Sequence, residues 1–122
     1  MSTTSSYVVN DVMTLQANAA TDVGIRVSVN SAGKATIAGI GVTGVGITTD
    51  GVAADGYVGV RLWSAPTHVG QCSEAIAVGD IVYTAANGRF SKTSGGGALQ
   101  MGIALTATSA SGELFTFAQS RT

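Results

Sequence analysis

Around residues 23–30 apolar and polar positions alternate one by one. Ile25, Val27 and Val29 fall on one face of an extended chain, and Arg26, Ser28 and Asn30 fall on the other. A period of two marks a half-buried strand, because successive side chains of a pleated backbone point to opposite faces. Asn30 to Gly33 then supplies turn chemistry, and residues 34–37 return as the partner strand. Residues 12–20 fit either a strand or a short helix: Leu15, Gln16, Ala17 and Ala19 suit a helix, Val12 and Thr14 a strand.

Three more hairpin signals follow. Asp55-Gly56 separates the apolar runs 42–49 and 57–63, Asn87-Gly88 separates 81–85 from 89–92, and Ser111-Gly112 separates 101–108 from 113–119. Asn-Gly and Asp-Gly suit such turns because these residues tolerate the positive φ that a tight link between twisted strands demands. With one Pro and no long amphipathic helical pattern, the chain is predicted to be all-β, a small β-barrel or β-sandwich domain built from hairpins. A faint internal echo accompanies this. Gly46-Ile47, Ala54 and Gly56 reappear as Gly102-Ile103, Ala110 and Gly112, always 56 residues on, which predicts two similar hairpins packed across one core.

Composition narrows the function. Charged residues make up 11% of 122 against 45% hydrophobic residues and 17 glycines. That is little material for acid–base or nucleophilic chemistry, and little charge to keep an isolated surface dispersed, so part of the surface is expected to be covered by other copies or a partner. The six basic residues are scattered singly, which argues against nucleic-acid binding. A single Cys72 excludes an intrachain disulfide. The uncharged stretch 35–49 is too short and Gly-broken for a membrane span, and residues 1–6 lack the basic and apolar regions of a secretion signal. Residues 1–10 are expected to form a flexible N-terminal arm and 11–122 a single β-rich domain.

The candidate chemical motifs carry little. Gly39-Ile40-Gly41-Val42-Thr43-Gly44 matches the G-x-G-x-x-G dinucleotide fingerprint, but that motif works by opening a helix onto a pyrophosphate. Here Val45, Gly46, Ile47, Thr48 and Thr49 follow, which favour strand, so a Gly-rich bulge or corner is expected. His68 and Cys72 could pair as an activated thiolate or half a metal site, yet no second Cys or His completes a zinc sphere. Gly95-Gly96-Gly97 lacks the Gly-Lys-Ser/Thr ending of a phosphate loop, and the seven carboxylates fall mostly in turns. No catalytic residue, cofactor or metal is therefore expected. On the strand 57–63, Val58, Val60 and Leu62 face the core and leave Tyr57, Arg61 and Trp63 on the other face. They are either a second buried layer or an interface anchor.

The stretch 75–119 carries a family likeness. It runs through Ala75-Ile76-Ala77-Val78-Gly79-Asp80-Ile81-Val82-Tyr83, then Asn87-Gly88-Arg89-Phe90, then Met101-Gly102-Ile103-Ala104-Leu105 and Ser111-Gly112-Glu113. This resembles the small head-decoration, or capsid cement, proteins of tailed bacteriophages. The resemblance implies a non-enzymatic virion structural protein, a homotrimer that sits on the capsid exterior, contacts the major capsid protein and stabilises the head. Assembly would occur in the bacterial host cytoplasm. Ser2, Thr3, Thr4, Ser5, Ser6 and Tyr7 would then form a capsid-binding arm, with Tyr57, Arg61 and Trp63 as an interface. One alternative is a glycan- or receptor-binding β-domain of a phage tail or fibre that stacks sugars on Trp63 and Tyr57; another is a small hydrolase using Cys72 and His68.

Overall fold

A computed structural model describes residues 11–120. Ten strands form two antiparallel five-stranded sheets, one from each half of the chain. The first contains β1 (Val12–Gln16), β2 (Arg26–Val29), β3 (Ala35–Ile37), β4 (Gly46–Thr48) and β5 (Tyr57–Leu62), in the order β1-β5-β4-β2-β3. The second contains β6 (Thr67–Gln71), β7 (Ile81–Thr84), β8 (Phe90–Ser91), β9 (Gln100–Ala104) and β10 (Leu114–Gln119), in the order β6-β10-β9-β7-β8. The chain is all-β, as its alternation and turn density predict. The sheets do not close into a barrel; the edges of each meet only at one parallel bridge, Ala17 to Ala35 and Cys72 to Phe90.

The predicted hairpins form. β2 pairs with β3 across the Asn30–Gly33 turn, β4 with β5, β7 with β8, and β9 with β10. Asn87 and Gly88 both take positive φ (60° and 70°), which is why this dipeptide links β7 to β8. In the open segment 12–20, residues 12–16 form a strand, β1, laid antiparallel on β5. Strict alternation mispredicts β2. Arg26 is fully buried and Val29 exposed, because the second half covers the face where Arg26 emerges while the far end of β2 runs past the core.

The two halves are copies of one topology. Adding five to each strand number converts the first strand order into the second, and the pairing registers follow: Gln16 faces Tyr57 as Gln71 faces Leu114, and Val27 faces Gly46 as Val82 faces Gly102. Loop bonds repeat too, with Asn18 N–H donating to Ala35 O (2.8 Å) as Ser73 N–H does to Phe90 O (2.8 Å). The echo in the sequence is thus larger than two hairpins. Nor do the halves share one core: Ala17, Ile25, Val27, Ala35, Val58 and Val60 cluster in the first, while Cys72, Val82, Phe90, Met101, Phe115 and Phe117 gather in the second. Ile47 crosses from the first half into the second cluster, and Trp63 packs against it.

Candidate interaction surfaces

The seam between the halves is built around Arg26. Its guanidinium donates to the carbonyls of Ala85 (2.5 Å), Arg89 (3.2 Å), Gly39 (3.2 Å) and Val42, and stands 5.4 Å from the centre of the Phe90 ring. Desolvation pushes its pKa down to about 10, so it remains a cation at neutral pH, held by carbonyl dipoles and a π face rather than by a carboxylate. The Gly39–Gly44 fingerprint is therefore a loop that turns carbonyls toward a cation. A phosphate cradle needs the opposite polarity. Ile40 O of the same loop accepts from the Thr84 hydroxyl of the second half.

Backbones approach closely at two further points. Gln71 N–H donates to Gly24 O (2.8 Å), and the Gln71 side chain donates to Asp22 (3.1 Å) and Val23 O (3.2 Å). A Cβ on Gly24 would lie 2.9 Å from Gln71 N, and one on Gly88 would lie 2.8 Å from Arg26 O, so only glycine lets the halves meet this tightly.

A cleft of about 430 Å³ runs along the seam, lined by Val23, Ile47, Arg61, Thr67 and His68 among others. His68 is buried, its ring edge-on to Trp63 at 4.8 Å, with Nε2 3.0 Å from Ala65 O. Donation to that carbonyl puts the ring proton on Nε2 and leaves Nδ1 as a buried acceptor without a partner. Desolvation holds the imidazole below its ordinary pKa, against the opposing pull of the Ala65 and Gln119 contacts. Cys72 is buried in the second core, its thiol donating to Ala110 O (3.1 Å).

The three predicted interface residues separate. Tyr57 is 70% exposed at the start of β5. Arg61 and Trp63 turn into the seam, where Arg61 Nε donates to Thr67 O (3.0 Å) and Trp63 Nε1 to Gly44 O (2.9 Å). The face left outside the first core is thus covered at one end by the second half. The predicted arm, Ser2 to Tyr7, lies outside the described residues. Sequence reading missed Arg26, Gly24 and Gly88 as seam residues. The pairing of a Val-Gly with a Val three residues on, at Val23-Gly24 with Val27 and again at Val78-Gly79 with Val82, was an available signal of the repeat.

The carboxylates serve turns. Asp80 accepts from Ala77 N–H (2.8 Å), Asp55 pairs with Lys34 (3.1 Å), and Glu113 accepts from Ser109 N–H and O–H, which hold its carboxyl below the usual range. Among the described residues no three His, Cys, Asp or Glu side chains gather as a metal site. What the described residues do offer is apolar surface: Val12, Met13, Val29 and Tyr57 in the first half, and Val78, Ile81, Leu105 and Leu114 in the second.

No family model and no curated protein matches the chain. Among solved structures, the N base of head fiber gp8.5 of bacteriophage phi29 is similar, with a TM-score of 0.75 at 17% identity over 91% of this chain and 94% of that one. The chain therefore shares, across nearly its whole described length, the fold of a phage head-fiber base.

Proposed function

We propose that this chain is a structural protein of a phage head, a decoration protein that binds the outside of the assembled capsid as a homotrimer and stabilises the coat. The observation that carries this reading is the shared fold with the phi29 head-fiber base, which spans 91% of the chain. The sequence likeness to decoration proteins, found independently in 75–119, points to the same place in a virion. The chemistry agrees. The titratable groups serve turns and the seam, and the exposed apolar side chains suit contacts with copies and a lattice. Under this reading the role is non-enzymatic, the partner is the major capsid protein, and Ser2–Tyr7 make capsid contacts.

The test is to add purified protein to undecorated heads and to dissociated coat protein, and to measure bound copies and disruption temperature. An oligomer that engages several coat subunits at once gains avidity on the lattice of as much as about 10²–10⁴-fold. Binding only the lattice must also stabilise it, so saturated heads should disrupt at a higher temperature than bare ones. Equal binding to both forms, or saturation without a shift, rejects the decoration role and moves the function to glycan binding, with Tyr57 as the exposed ring.

A further inference from the structure

We propose that copies of this chain join head to tail by repeating between chains the contact that the two halves make within one. This rests on the reading of the chain as a homo-oligomer and supplies the interface. Within one chain, the seam joins a face of the first half around Val23, Gly24 and Arg26 to a face of the second around His68, Gln71, Thr84 and Gly88. Because the halves share strand order and register, each face has a counterpart in the other half. Val23, Gly24 and Arg26 correspond to Val78, Gly79 and Ile81. His68, Gln71, Thr84 and Gly88 correspond to Met13, Gln16, Val29 and Gly33, and Leu114, which crowds Gly24, corresponds to Tyr57.

Both counterpart faces are open. No atom lies within 4 Å of a Cβ built on Gly79 or Gly33, whereas the same construction on Gly24 and Gly88 collides with the other half. Val78 is 65% exposed and Ile81 41%; on the other counterpart Met13 is 40% exposed and Val29 44%. Their chemistry has changed in step. Where the seam has Arg26 and Asp22 on one side and His68, Gln71 and Thr84 on the other, the counterparts are Ile81 and Ala77 on one side and Met13, Gln16 and Val29 on the other. Both counterpart faces are more apolar than the seam faces, with one amide, Gln16, kept in the place of Gln71, as expected of two surfaces that meet each other.

A second copy is the occupant that fits, since one chain carries both surfaces at opposite roles of the same contact. Such an interface is heterologous: each junction leaves one surface of each kind unfilled, until the copies close into a ring.

The experiment uses two exposed-surface variants, Val78→Asp with Ile81→Asp, and Met13→Asp with Tyr57→Asp, each checked for native circular dichroism. By sedimentation equilibrium the wild type should be a discrete oligomer and each variant alone a monomer. Mixed together, they should form a 1:1 pair and nothing larger, because one intact junction remains between them. A variant that keeps the wild-type oligomer, a variant that dimerises alone, or a mixture that stays monomeric overturns the inference, as does a monomeric wild type. In a Cys72→Ala background, Gln16→Cys with Gly79→Cys should cross-link between chains on oxidation; the corresponding seam pair, Gln71 and Gly24, is bonded at 2.8 Å. Absence of interchain linkage counts against the inference even if the Asp variants misfold. Head binding is read separately, so a protein that decorates heads but fails here refutes the interface alone.

Discussion

At Arg26 one side chain holds two sheets together. Its donors reach four carbonyls in two loops, and an apolar replacement would leave those acceptors without their cation. An orphaned buried acceptor costs on the order of 1–3 kcal/mol. Arg26→Met should therefore lower the unfolding free energy in urea by about 3 kcal/mol. Arg26→Lys should recover only part of it, because a compact ammonium cannot span the fork; full recovery would show that charge alone matters. His68 has a different signature. Its native pKa lies below the unfolded value of about 6.5, so the unfolded chain takes up the proton first as pH falls. Its contribution is complete above about 6.5 and is lost as pH drops from there toward the native pKa. Comparing wild type with His68→Gln in urea melts from pH 7.5 to 5.5 should show a steeper loss in the wild type. Parallel curves would refute this.

At the scale of the strand, Gly46 in β4 and Gly102 in β9 occupy the same place in the two sheets. A Cβ on either would run into a carbonyl of the neighbouring strand, Arg61 in one case and Ala118 in the other. Gly46→Ala and Gly102→Ala should each cost about 1–3 kcal/mol, as overpacking does. Gly39→Ala, in open space, should stay within about 0.5 kcal/mol. Thermal melts of the three variants decide it. Strands were legible where local pattern governs: the alternation at 25–29 and the Asp55-Gly56, Asn87-Gly88 and Ser111-Gly112 turns all end up in hairpins. The direction of Arg26 was not, because alternation tells which residues share a face and not what will cover it. Trp63 shows the same limit. Its place outside the first core could be read from β5, but its packing against His68 and the second cluster belongs to the seam.

Over the whole molecule, duplication yields two cores joined by shared residues. Ile47 completes the second cluster and Arg26 needs second-half carbonyls, so neither half is finished without the other. Unfolding should then be a single transition with equal calorimetric and van't Hoff enthalpies, and residues 11–65 expressed alone should not fold. Two separate transitions would mean the halves are independent. The repeat was only faintly legible, as Gly46-Ile47 against Gly102-Ile103. Topology and register survive with few shared identities because a sheet needs apolar alternation and turn residues in the right places, not particular side chains.

Trp63 is the one tryptophan of the chain, and it stands at the junction, bonded to Gly44 and edge-on to His68. The molecule thus carries its own optical gauge. Light emitted by this indole reports whether the halves are closed, and protonation of the neighbouring imidazole should dim it, so the separation of the two halves can be timed without attaching a dye.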